Sequence, residues 1–183
     1  WLGALATFFL ALNCAARLRG EDDGIYGKWI MTPRYAREGK LIPATGKLAG
    51  TIRGAQFSKQ SPSALVFDGK QGFLTLADNL IEAQLPRPQL TAEAWVLVQS
   101  TSEWGAFASA IQDNGEYERG WMLGYRGARF CFGLVSSKKR RLTYLTANTD
   151  FAIGSWYYVA ATYDGQTMNL YVDGQLAASS KEQ

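Results

Sequence analysis

The chain has 183 residues, a net charge of +3, and 47% hydrophobic and 13% aromatic content. That length and apolar share suit one well-cored domain, and so small a charge argues against a nucleic-acid partner. Histidine is absent, which excludes His-assisted triads, His-ligated zinc or iron sites and imidazole proton shuttles.

Residues 1–16 carry no charged side chain. Their apolar run of about twelve residues is too short to span a membrane. It suits the hydrophobic core of a secretory signal peptide, with a small-residue cleavage region near Ala15 or Ala16. The chain starts with Trp1 and lacks a basic leader, so residues 1–16 read as a signal-peptide remnant, with no membrane span in the mature form. The alternative is a buried strand or short helix of the domain. Acylation at Cys14 is the weaker reading, because Asn13 stands where a small residue is wanted. Cys14 and Cys131 are the two cysteines, so at most one disulfide can form. Cleavage would leave Cys131, in Arg129-Phe-Cys-Phe132, as a small packing residue.

Residues 17–24 are charged and polar, and read as a mature N-terminal arm. The domain proper is expected over residues 25–183. Ile25 to Trp29 reads as a short strand, and residues 33–62 as loops with one or two edge strands. Ala64 to Phe67 is expected to be a strand ended by Asp68-Gly69, with Phe73 to Leu76 as its hairpin partner. Asp78 to Gln84 allows one helical turn before Pro86 and Pro88. Thr91 to Val98 is apolar on both faces at its end, which predicts a central, covered strand. Trp95 and Trp156 are assigned to the core.

Ala106 to Ile111 is a further strand, stopped by Asp113-Asn114-Gly115. Trp121 to Tyr125, Arg129 to Val135 and Arg141 to Thr146 follow as three successive strands. Trp156 to Tyr163 and Met168 to Val172 then alternate around Asp164-Gly165, a hairpin signal, because Gly accepts positive φ without a Cβ clash. A second Asp-Gly turn, Asp173-Gly174, leads to a short strand from Gln175 to Ala178. Short strands at regular spacing with Gly turns indicate an antiparallel sandwich or barrel. The chain stops soon after a hairpin turn, so truncation at both ends is expected.

These stretches resemble a laminin-G-like domain of the concanavalin A-like jelly-roll superfamily. The matching pieces are Ala64-Leu-Val-Phe-Asp-Gly69, Phe73-Leu-Thr-Leu76, Leu90-Thr-Ala-Glu-Ala-Trp-Val96, Gly120-Trp-Met-Leu-Gly124 and Arg129-Phe-Cys-Phe132. Trp156-Tyr-Tyr-Val-Ala-Ala-Thr-Tyr-Asp-Gly165 and Leu170-Tyr-Val-Asp-Gly174 complete them, and Trp29 and Gly46-Lys-Leu-Ala-Gly-Thr-Ile52 resemble opening strands. The resemblance covers roughly residues 25–180. It implies an all-β, two-sheet antiparallel jelly-roll sandwich, here truncated at the C-terminus, because the family continues with another strand pair and a closing segment. The wording of Glu103-Trp-Gly105, Ala110 to Tyr125 and Arg141-Leu-Thr-Tyr-Leu-Thr146 is similar to N-terminal modules of secreted planctomycete-type proteins. In some of those the module precedes a calcineurin-like metallophosphoesterase domain.

The superfamily's laminarinase-type hydrolases carry Glu-x-Asp-x-Glu, whose period of two aims three acids into one cleft. This chain has no such run; Glu116 and Glu118 have the spacing but lack the middle acid, so no catalytic residue is assigned. Asp113, Asn114, Glu116 and Glu118 offer hard oxygen ligands of the kind calcium takes, against the plain reading that Asp-Asn-Gly forms a turn. Lys138-Lys-Arg-Arg141 carries charge density suited to acidic polysaccharides, against a solvated hairpin tip. Trp104, Trp121, Tyr125 and Tyr144 are candidates to stack on sugar rings, against a packing role. Trp104, beside Gly105 in an expected loop, is the best exposed of them.

The function these features imply is a secreted, non-catalytic recognition module binding a glycan or an extracellular protein through rim loops. The competing reading is an accessory domain of a secreted hydrolase whose catalytic domain lies outside this chain. Both place the protein in a secreted, periplasmic or cell-surface setting.

Overall fold

Alternating apolar residues separated by Gly-bearing turns leave little choice but strands. The computed structural model describes residues 5–6, 9–13, 25–59, 62–79, 83–85, 89–136 and 138–182, the first two stretches as backbone only. The N-terminal half gives β1 (Leu5–Ala6), β2 (Phe9–Asn13), β3 (Ile25–Ile30), β4 (Ala36–Arg37), β5 (Lys40–Leu41) and β6 (Thr45–Gly46). Next come β7 (Gly50–Arg53), β8 (Gln56–Phe57), β9 (Leu65–Val66) and β10 (Phe73–Thr75). The longer strands follow as β11 (Leu90–Leu97), β12 (Trp104–Asp113), β13 (Glu118–Arg126) and β14 (Arg129–Leu134). They end with β15 (Thr143–Thr146), β16 (Trp156–Tyr163), β17 (Met168–Val172) and β18 (Gln175–Ser180). Among the described residues the helical content is one 3-10 turn, Pro33–Tyr35.

A seven-stranded sheet runs β18-β17-β16-β11-β2-β3-β6, and a four-stranded sheet runs β12-β13-β14-β15. A second four-stranded sheet, β10-β7-β5-β4, and a three-stranded one, β1-β9-β8, flank them. All described pairings are antiparallel, as a sandwich built from hairpins requires. The core lies between the first two sheets. Ala92, Ala94 and Val96 on β11 and Val159 and Ala161 on β16 have no exposed surface, and they face Leu123 and Phe132 on β13 and β14. Phe130 stacks on Phe151 at 4.5 Å between centroids and meets Tyr157 edge-on at 5.3 Å. Aromatic contacts of this kind add to the burial of apolar area.

The strands expected from Trp121 onward are present, with bounds moved by a few residues. The Asp113-Asn114-Gly115 turn, the Asp164-Gly165 turn and the Asp173-Gly174 turn all sit between paired strands. Three expectations change. First, β9 and β10 are not hairpin partners: β9 pairs with β8 and β1, whereas β10 pairs with β7. The reason lies in the turn between them, where one Asp68 oxygen accepts the N–H groups of Lys70, Gln71 and Gly72 at 2.8–2.9 Å. Three residues held around one carboxylate carry the chain from one sheet to another instead of reversing it. Those bonds also hold the exposed Asp68 carboxyl below the usual carboxylate range.

Second, β11 is covered on one face only. Its register sets Trp95 opposite Tyr158 on the outward face, so Trp95 is 41% exposed and Trp156 is half-buried. Third, Trp104 opens a strand instead of lying in a loop. The turn expected between Asp78 and Gln84 is consistent with the Ala83 N–H donating to the Asn79 carbonyl at 3.0 Å, although residues 80–82 lie outside the described residues.

Phe9–Asn13 pairs with β11 on one side and β3 on the other. Residues 14–24, with the cleavage region and the arm, lie outside the described residues.

Candidate functional site

Strand parity sorts the four candidate aromatics into two places. Trp121 and Tyr125 alternate with Met122 and Gly124 along β13, and they point into the core at 6% and 8% exposure. Trp104 and Tyr144 point the opposite way, onto the outer face of the same sheet, each 37% exposed. Their rings lie 4.6 Å apart between centroids at 45°. The Arg126 guanidinium sits 4.8 Å from the Trp104 centroid, as the pairing of Trp104 with Arg126 dictates. A cation over an indole face is worth about 0.5–1 kcal/mol at an exposed site.

The floor beneath these rings is made of small or flexible residues. Gly124, Cys131 and Gly133 share the outward parity, and Met122 and Cys131 are buried without belonging to the inter-sheet cluster. Gly133 leaves room for a ring: a Cβ there would lie 2.9 Å from the Tyr144 edge and 3.0 Å from Met122. Burial, with the nearby carboxylates Asp113 and Glu118 adding to it, raises the Tyr144 hydroxyl pKa, so the phenol stays neutral across the physiological range. The patch therefore presents two π faces, one phenol and one fixed guanidinium.

Burial pushes the Cys131 thiol up to about 12, from an ordinary value near 9. A raised pKa favours the protonated folded state, so this group's stabilisation is complete below pH 9 and is lost as pH climbs from about 9 towards 12. At pH 8, alkylation of Cys131 in the folded chain is expected to run at least a hundredfold slower than in urea. Mass spectrometry of an iodoacetamide time course measures it, and equal rates would mean that the floor is open.

The oxygen-rich hairpin is occupied with its own turn. Asp113 Oδ1 accepts the Gly115 N–H at 3.4 Å, and Asn114 Oδ1 accepts those of Glu116 and Tyr117 at 3.3 and 2.7 Å. Glu118 reaches across to accept the Leu142 N–H. Among the described residues no three carboxylate, thiol or imidazole side chains converge as a metal site would need. Of the calcium candidates Asp113, Asn114, Glu116 and Glu118, the first two and the last thus have side-chain oxygens engaged by backbone N–H groups. Lys138, Lys139, Arg140 and Arg141 are exposed on the neighbouring β14–β15 turn, held by Ser136 through the N–H groups of Lys139 and Arg140.

A cleft of about 630 Å³ opens beside the patch, between β12 and β10. Trp121 and Tyr125 line it. Sequence reasoning missed both the cleft and Arg126. The outward parity of Arg126, two residues beyond Gly124, was the available signal for the latter.

Two relatives share this architecture's later strands by sequence. Pappalysin-1 of Homo sapiens is 34% identical over 143 residues, and Pappalysin-1 of Mus musculus is 32% identical over 142. Each match covers 72% of this chain but 9% of the relative, so the chain spans less than a tenth of their length. No helix among the described residues is long and apolar enough to cross a membrane. The family model described as the concanavalin A-like lectin/glucanases superfamily, Laminin_G_3, matches residues 68–183, most of the chain. With its two antiparallel sheets packed face to face, the chain belongs to this laminin-G-like family of the concanavalin A-like superfamily.

Proposed function

We propose that the protein is a secreted, non-catalytic recognition module that binds glycan through the outer face of its four-stranded sheet. The observation that supports this most directly is the exposed Trp104–Tyr144 pair with Arg126 over the indole. Aromatic faces stack on the apolar faces of sugar rings, while the guanidinium and phenol hydrogen-bond or pair with their polar groups. The basic turn Lys138 to Arg141 lies on the same sheet and favours acidic glycans. Relative to the rim-loop expectation, the binding groups here stand on strands, which hold them more rigidly than loops do.

A second reading is an accessory domain that positions the catalytic part of a secreted hydrolase. The fraction of the relatives that the chain matches is what favours it. One experiment separates the two and addresses secretion. The secreted product is collected, its N-terminus sequenced, and the purified chain applied to an array of neutral and sulfated glycans. Processing near Ala15 or Ala16 is expected, with binding that drops about tenfold in Trp104→Ala and Tyr144→Ala, roughly 1.4 kcal/mol. Binding equal in both variants, or to no glycan, would leave the accessory reading. An N-terminus upstream of Phe9 would make β2 part of the mature domain.

A further inference from the structure

Among the described residues the exposed aromatic rings are Phe73, Trp95, Trp104, Tyr117 and Tyr144. Three of them carry a guanidinium of the chain itself. Arg53 lies 5.9 Å from the Phe73 centroid, Arg126 4.8 Å from that of Trp104 and Arg119 4.2 Å from that of Tyr117. Tyr144 is packed on Trp104. Trp95, on the outer face of the seven-stranded sheet, differs. Its ring neighbour is Tyr158, 5.5 Å away at 45°, and among the described residues no cation lies over the indole.

A carboxylate stands there instead. Glu93 lies two residues before Trp95 on β11, hence on the same face, and its Oε2 accepts the Tyr158 hydroxyl. Burial, with that hydrogen bond and the Glu93 charge adding to it, raises the Tyr158 pKa, so the phenol keeps its proton and remains a donor. The bond engages one carboxylate oxygen and holds the group on the face that Trp95 shares. Among the described residues the one ion pair is Arg129 with Asp150, so Glu93 is not neutralised by a neighbour. Lys28, in the same cross-strand row through Ala11, stands two strands away.

We propose that Trp95, Tyr158 and Glu93 form a docking site for an arginine side chain of a partner polypeptide. A guanidinium stacks flat on an indole while its N–H fork pairs with a carboxylate, so one group satisfies both. At three other exposed rings the chain provides the cation; here it provides the anion. Each of these contacts is weak at an exposed surface, so a free small cation would not stay bound. The group has to arrive on a body that covers further surface, and Trp and Arg are the side chains that most often dominate polypeptide interfaces. A polyanion is repelled by Glu93, and a neutral sugar leaves the carboxylate without a counter-charge. The site lies on the opposite sheet from Trp104 and does not rest on glycan binding there.

The test selects short random peptides, displayed on phage, on the wild-type chain after depletion on Glu93→Gln. That variant keeps an acceptor for Tyr158 and removes the charge. The selected peptides are expected to share an arginine. A synthetic copy should bind about tenfold more weakly once citrulline replaces that arginine, and equally so to Trp95→Ala and Glu93→Gln, in calorimetric titrations. Circular dichroism checks that both variants are folded. No enrichment over the unselected library, enriched peptides without a shared arginine, or binding that citrulline leaves unchanged would overturn the proposal. Self-association of the chain that Glu93→Gln abolishes in sedimentation would overturn it too, since the occupant would be a second copy. Binding to phosphatidylcholine vesicles lost in Glu93→Gln would do the same, making this a headgroup site.

Discussion

Trp29→Ala is expected to cost about 4 kcal/mol or more, the largest loss of any single side chain here. The indole is completely buried where β3 meets the core, and its Nε1–H donates to the Leu48 carbonyl at 2.8 Å. Truncation removes the packing of the whole ring system and leaves that carbonyl without its donor. Gly27, two residues earlier on the same strand, has no room for even a methyl group, since a Cβ there would lie 2.3 Å from the Trp29 ring. The neighbourhood is thus shaped around the indole and is poorly placed to collapse into the hole. Urea titration followed by far-UV circular dichroism should show the midpoint falling by roughly 2 M. Trp29→Phe keeps most of the apolar bulk and loses the donor, so a cost of about 1–2 kcal/mol is expected. If both variants melted with the wild type, β3 would not be part of the cooperative unit.

Gly120→Ala is the second large effect, at about 3 kcal/mol or more. Gly120 pairs with Ile111 across β12–β13, at a φ of +92°. A Cβ there would stand 1.7 Å from the Ala110 carbonyl oxygen and 2.8 Å from its carbon. The obstacle is main chain inside a ladder, so relief requires the two strands to part. Gly127→Ala provides the comparison, because Gly127 also has positive φ, +57°, but nothing lies within 4 Å of its Cβ position. That variant bears the backbone strain alone, about 1–2 kcal/mol. Equal costs for the two variants in thermal and urea melts would show that the clash, and with it the β12–β13 register, is misplaced.

The legible part of this fold was the part encoded locally. Around Gly127, Asp164-Gly165 and Asp173-Gly174 the flanking strands pair in chain order, β13 with β14, β16 with β17 and β17 with β18, so those hairpins need no distant information. The first half behaves differently. Leu65–Val66 and Phe73–Thr75 look like hairpin arms because they flank Asp68-Gly69, yet their partners, Gln56–Phe57 and Gly50–Arg53, are set by which sheet edge is available. Trp95 was misassigned for a related reason. Ala94, Trp95 and Val96 read as one apolar run, and only the register with Tyr158 shows that the middle residue faces outward.

The site divided in the same way. Trp104 and Tyr144 could be named one at a time from composition, but they come together across a sheet whose register shifts between Ala106 and Ala108. A bulge of that kind leaves no mark in a single sequence. Trp121 and Tyr125 carry the same residue chemistry and differ only in parity. The cleft was invisible for a deeper reason: its lining comes from stretches far apart in the chain, Gly72 to Ala77 and Trp104 to Ala110 among them.

The three strands from Trp156 to Ser180 also bear on the order in which the domain assembles. They form an up-and-down meander whose reversals, at Asp164-Gly165 and Asp173-Gly174, bring together residues close in sequence. In the first turn Asp164 Oδ1 accepts the N–H groups of Gln166 and Thr167 at 2.8 and 2.7 Å. Joining Leu97 to Trp156, by contrast, means closing a long excursion that contains the whole four-stranded sheet. Chain entropy penalises that closure before any contact rewards it, so local zippering of the last strands provides the template and capture of β11 is the slower event.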